Sequence, residues 1–82
     1  MNAKDIEKVL TAEIVVDSDK KSLGPDEDLL EQGMIDSLKI IKLIEFMENK
    51  FGIKIVDEEI IPENFMSINS MVKFIERQLE NA

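Results

Sequence analysis

The residues best placed to do chemistry lie in one short segment, Gly33-Met34-Ile35-Asp36-Ser37-Leu38. It sets a hydroxyl directly after a carboxylate, at the end of a loop and at the start of an apolar-rich run that reads as a helix. A phosphodiester formed on Ser37 would lie beside free backbone N–H groups and the positive end of the helix dipole, both of which favour an anion. Asp36 opposes that charge, yet its carboxylate could contact a divalent cation while a phosphoryl group is being transferred. The pair also has a plainer reading, with Asp36 as a helix cap and Ser37 as an ordinary first-turn residue, and the two side chains alone do not separate these readings.

The remainder of the chain narrows the chemistry. Its 82 residues contain no Cys and no His, so thiolate nucleophiles, disulfides and imidazole bases are all absent. The Asp, Glu, Lys and Ser residues show no spacing that marks an acid–base pair or an activated nucleophile, and an enzyme in its own right is not expected. There is no glycine-rich phosphate loop, internal repeat or basic stripe, and no metal site is expected. Ten Lys+Arg against 18 Asp+Glu leave a net charge of −8, which repels nucleic acid and anionic lipid and attracts basic protein surfaces. The longest run of the hydrophobic set, Ile14-Val15-Val16, is far too short to span a membrane, and the N-terminus lacks a signal-peptide pattern. The expectation is one small cytoplasmic domain over residues 1–82, monomeric, bound to neither nucleic acid nor membrane.

Three amphipathic helices and a short one are expected to position the Asp36-Ser37 pair, making an all-α four-helix bundle. Over residues 3–17, Ala3, Ile6, Leu10 and Ile14 recur at helical spacing behind an Asn2 cap. Residues 18–35 lose that periodicity and form a long loop, with one helical turn near residues 26–32 and Leu23, Leu29, Leu30, Met34 and Ile35 as apolar anchors. The second helix starts at its Asp36 cap and runs to Phe51, with Gly52 to stop it. Ile40, Ile41, Leu43, Ile44, Met47 and Phe51 form its expected buried face, Lys39, Lys42, Glu45, Asn49 and Lys50 its polar side. Leu38 and Phe46 fall off that stripe, so one packs at a margin and the other is exposed. A brief helix is expected around Asp57-Glu58-Glu59 and Pro62. Ser67 then caps a last helix from Ile68 to Glu80, with Ile68, Met71, Val72, Ile75 and Leu79 inward.

The order of these features, with Asp36-Ser37-Leu38 closing a long first loop and Phe51-Gly52 closing an apolar helix, resembles the acyl carrier protein family over nearly the whole chain. The resemblance implies that Ser37 receives 4′-phosphopantetheine from coenzyme A through an external phosphopantetheinyl transferase. The thiol of that arm would carry an acyl or aminoacyl group as a thioester, so the reactive sulfur belongs to the cofactor. Also implied are an acyl- or aminoacyl-loading enzyme and a downstream acyltransferase or synthase as partners, with Leu38 as an exposed apolar contact, Lys39, Lys42 and Glu45 on the partner surface, and Ile55 to Ile61, including Asp57, Glu58 and Glu59, in the region that lines the arm or touches partners. Carriers of fatty acid synthesis usually show an acidic second helix, and Lys39 and Lys42 depart from that. The stretch from Asp57 to Phe65 looks more like freestanding carriers of amino-acid activation or secondary metabolism, D-alanyl carriers included. A reading from another class remains beside this one: an unmodified acidic helical adaptor for a basic or amphipathic partner, in which Ser37 serves only the helix start.

Overall fold

The computed structural model describes residues 2–16 and 23–80. Four helices and a 3-10 turn follow one another along the chain: α1 Ala3–Val15, α2 Ser37–Phe51, the 3-10 turn Asp57–Glu59, α3 Pro62–Phe65 and α4 Ile68–Glu80. No strand occurs among the described residues. The fold is the expected all-α, four-helix arrangement.

Each long helix begins on a side chain suited to the task. The Asn2 Oδ1 accepts from the Asp5 N–H at 2.9 Å, the Asp36 Oδ1 from the Lys39 N–H at 2.9 Å, and the Ser67 Oγ from the Ser70 N–H at 3.1 Å. Each bond satisfies one of the N–H groups that a helix start leaves without a partner. Pro62 occupies the first position of α3, where its missing N–H is no loss. At the far end of α2, Gly52 adopts φ 67°, and its N–H donates to the Glu48 carbonyl at 3.0 Å. Residues with a side chain rarely adopt that left-handed conformation, so a glycine ends the helix.

Packing centres on α4, which touches α1, α3 and α2. Ile6, Leu10 and Ile14 of α1, Leu43 and Met47 of α2, and Ile68, Met71, Val72, Phe74 and Ile75 of α4 are buried together with Phe65 of α3. The Phe65 and Phe74 rings lie 5.7 Å apart and tilted at 55°, and the Arg77 guanidinium stands 5.9 Å from the Phe74 ring centre. Between α2 and the 3-10 turn, Ile53 and Ile55 point inward while Lys54 and Val56 point out. The Ile55 N–H donates to the Glu48 Oε2 at 3.0 Å, so a side chain of α2 takes the place of a partner strand.

Several expectations are corrected. Ile41 was placed on the buried face of α2 but is 57% exposed. It stands about 160° around the helix from Leu43, and α2 meets the core along a stripe centred on Leu43 and Met47, with Ile40, Ile44 and Phe51 only half-buried. Ala3 is exposed too, since the core reaches α1 only from Ile6 onward. Phe65 and Phe74, absent from the expected core, are among its largest members, because the single turn of α3 places one ring against the other. Of the two off-stripe residues, Phe46 packs at the margin and Leu38 is exposed. α1 ends at Val15, and Asp17, like the loop residues 18–22, falls outside the described residues.

Candidate functional site

The approach to Ser37 is built by a loop tied to the α3–α4 junction. The Leu29 N–H donates to the Met66 carbonyl at 2.7 Å, and the Leu29 carbonyl accepts from the N–H groups of Met34 and Ile35 at 3.0 and 3.2 Å. One residue thus links the α3–α4 junction to the segment that enters α2. The Asn69 N–H adds a bond to the Pro25 carbonyl at 2.8 Å, and its Nδ2 one to the Asp26 Oδ1 at 3.1 Å. Between these ties lies the expected helical turn: the Asp28 Oδ1 accepts from the Glu31 N–H, the Gln32 N–H donates to the Asp28 carbonyl, and Gly33 at φ 75° reverses the chain. Leu29 and Ile35, at 0% and 2% exposure, pin the loop into the core.

This support ends one residue before the Asp36-Ser37 pair, both exposed. The Asp36 carboxylate caps α2 through the Lys39 N–H, and its carbonyl accepts from the Ile40 N–H at 2.8 Å. Ser37 is the first residue of a 15-residue helix, so its hydroxyl stands at the positive end of a long dipole beside N–H groups that no preceding turn uses. An exposed hydroxyl held there by a buried anchor fits a covalently attached phosphodiester, which needs an open approach and a fixed base. Among the described residues, no group of three or more His, Cys, Asp or Glu comes together to hold a metal.

The other expected site residues divide. Leu38 is 72% exposed beside Ser37, and Lys42 and Glu45 are exposed on the same helix. Lys39 is half-buried and, with Lys42, Met34 and Ile14, borders a cleft of about 80 Å³ between the end of α1 and the start of α2. Asp57 and Glu58 are exposed, whereas Glu59 is turned into the fold. Its carboxylate accepts from the Val56 N–H at 3.2 Å and from the Gln78 Nε2, and its carbonyl accepts from the Asn64 Nδ2 at 2.8 Å. Asn64 is held in turn by Arg77. The structure therefore separates the acidic triplet into two surface carboxylates and one that joins the 3-10 turn to α4.

Sequence reasoning missed the exposure of Ile41 and Met66, whereas Val56, Ile60 and Ile61 lie in the Ile55–Ile61 stretch that the resemblance assigns to the arm or its partners. Ile41 stands beside Leu38 on α2, and Val56, Ile60, Ile61 and Met66 are 36–46% exposed around the 3-10 turn and α3. Ile41 lies three residues on from Leu38 and thus on the same side of the helix, but how wide a face α2 buries is not written in its spacing. For Met66 there was no signal, since its link toward α2 runs through the Leu29 backbone.

The family model for the phosphopantetheine attachment site matches residues 7–75. The chain is 34% identical over 73 residues to an acyl carrier protein of Helicobacter acinonychis, covering 89% of this chain and 88% of the relative. It is 39% identical over 57 residues to a D-alanyl carrier protein of Streptococcus uberis, covering 70% and 71%. A chain in the crystal structure of an FAD-dependent dehydrogenase superposes with a TM-score of 0.70 at 26% identity, over 85% of this chain and 97% of that one. A hydroxyl at the start of α2, a tethered loop before it and these likenesses agree: the chain belongs to the acyl carrier protein family, non-catalytic carriers whose working group is covalently attached 4′-phosphopantetheine.

Proposed function

We propose that Ser37 is the attachment residue and that the chain carries an acyl or aminoacyl group in amino-acid activation or secondary metabolism rather than in housekeeping fatty acid synthesis. The observation that carries the first half is the exposed Ser37 hydroxyl at the first position of α2, behind the Asp36 cap. When bound, the arm supplies a thiol that holds cargo as a thioester. The chain's own part is to present Ser37, to keep the anionic linkage at the positive end of α2, and to offer Leu38 and its neighbours to the enzymes that meet the arm. Asp36 caps the helix with one oxygen, and in this reading its carboxylate would also contact the divalent cation of the transferase during attachment.

The pathway rests on two supports. Lys39 and Lys42 stand where a fatty-acid carrier usually shows acids, and the likeness to a D-alanyl carrier spans 70% of the chain. The likeness to a chain in an FAD-dependent dehydrogenase structure favours oxidation as a later reaction class. The partners of this reading are a phosphopantetheinyl transferase, an aminoacyl- or acyl-loading enzyme and a downstream acceptor or dehydrogenase.

Intact mass after incubation with coenzyme A, magnesium and a broad-specificity transferase tests the attachment. A gain of one phosphopantetheine is expected for the wild type and none for Ser37→Ala of unchanged helicity. The holo-chain is then offered ATP, single amino acids or fatty acids, and a set of amino-acid- and fatty-acid-activating enzymes. Loading by the former class supports the pathway, and loading by fatty-acid-activating enzymes alone would overturn it. No mass gain with two transferases on folded protein would bring the unmodified-adaptor reading forward.

A further inference from the structure

We infer that Asn69, in the first turn of α4, is a positioning residue for the attachment of the arm to Ser37: with Asp26 it clamps the loop that delivers the serine. The inference rests on the carrier reading and adds to it a residue far from Ser37 in the chain.

Asparagine is a weak helix former, and near a helix start its usual use is as the cap. In α4 that duty is already met by Ser67, which is buried, accepts from the Ser70 N–H at 3.1 Å and donates to the Ser70 Oγ at 3.0 Å. The Asn69 side chain is not needed to begin the helix. It reaches back 43 residues, where its Nδ2 donates to the Asp26 Oδ1 at 3.1 Å. Its backbone N–H, one of the donors that a helix start leaves over, goes to the Pro25 carbonyl at 2.8 Å. The Asp26 carboxylate thereby also lies at the positive end of α4, where a negative charge is favoured.

From this clamp the bonds run on to the serine. The Leu29 N–H donates to the Met66 carbonyl, so the α3–α4 junction and the first turn of α4 grip residues 25–29 at both ends. The Leu29 carbonyl then takes the Met34 and Ile35 N–H groups, and Ile35, itself buried, stands just before the Asp36-Ser37 pair. The Asp26 end is the part of this grip that a side-chain substitution can release, since the bonds to Pro25 and Leu29 are made by backbone groups. Attachment joins the Ser37 oxygen to the pantetheine-bearing phosphorus of coenzyme A, breaks the pyrophosphate bond and releases adenosine 3′,5′-bisphosphate, while the hydroxyl proton passes to a base of the transferase. A hydroxyl that wanders from the line of attack reacts more slowly even when the two proteins dock equally well, so the clamp acts on kcat.

The test measures kcat and KM for arm attachment to the full chain, with coenzyme A, magnesium and the transferase of the experiment above, alongside Tm. Asn69→Asp sets two carboxylates against each other while keeping a residue that the first turn of a helix favours, and Asp26→Asn/Asn69→Asp restores the bond with donor and acceptor exchanged. Ala12→Gly, at an exposed position of α1, lowers stability without touching the loop. Asn69→Asp is expected to lose roughly fivefold in kcat and Asn69→Ala roughly threefold, with KM within about twofold of wild type and the exchanged pair recovered to within about twofold in kcat. Ala12→Gly should lower the Tm and leave both constants unchanged. A change confined to KM would place Asn69 in the contact with the transferase and overturn the inference. So would an unchanged kcat in Asn69→Asp, no recovery in the exchanged pair, or an equal loss in Ala12→Gly, each leaving the carrier reading intact. Failure of the wild type to accept the arm from two transferases would overturn both.

Discussion

Ser37 and Asp36 are neighbours whose duties differ. Ser37 offers an exposed hydroxyl, while Asp36 spends one carboxylate oxygen on the Lys39 N–H. Asp36→Ala removes that cap and is expected to cost about 1 kcal/mol, some 4–8 °C in Tm for a domain of this size. Asp36→Asn keeps a capping oxygen and should restore the Tm in the same thermal melt. If the carboxylate also meets the cation of the transferase, the mass-spectrometric rate of arm attachment should stay low in Asp36→Asn despite the recovered stability. A full recovery of both would leave Asp36 as a cap and nothing more. The acidic triplet divides in the same way. Glu59→Ala is expected to destabilise by about 1 kcal/mol, since it strips acceptors from Val56 and Gln78, whereas Asp57→Asn/Glu58→Gln should leave the Tm unchanged.

At the scale of elements, the loop before α2 is the part on which the position of Ser37 depends. Its backbone is tied through Leu29 to Met66 at one end and to Met34 and Ile35 at the other, with Gly33 at φ 75° between. Nothing lies within 4 Å of where a Cβ on Gly33 would be, so Gly33→Ala meets no steric clash and tests the backbone conformation alone. It is expected to cost about 1–2 kcal/mol in urea denaturation, with slower arm attachment if the entry to α2 shifts. Unchanged stability would show that the turn tolerates a side chain in the left-handed region. The loop's buried anchors were legible as apolar residues in a stretch without periodicity. Their tie to Met66 was not, because a backbone bond between residues 29 and 66 leaves no mark in the type of either side chain.

Over the whole molecule, eight excess negative charges surround a core built on one central helix, α4. Like charges at this density oppose compaction, and their repulsion is screened within roughly 8–10 Å at physiological salt. The Tm is therefore expected to rise as sodium chloride is raised from low to moderate concentration, which calorimetry would read directly. A flat or falling Tm would mean that attractive pairs outweigh the net repulsion.

The sequence by itself determined the four helices, their caps at Asn2, Asp36 and Ser67, the glycine that ends α2 and the Asp36-Ser37 pair at a helix start. These are local matters of hydrogen bonding and periodicity, settled by residues three or four apart. It also marked Leu38 as off the buried stripe. Only the tertiary structure decided that Ile41 joins Leu38 outside, that Phe74 meets Phe65 inside, and that Glu59 turns inward while Asp57 and Glu58 stay at the surface. Each of these depends on which neighbour a helix face happens to meet. A helix carries its own period in its sequence, but the width of the face it buries is set by the partner that covers it.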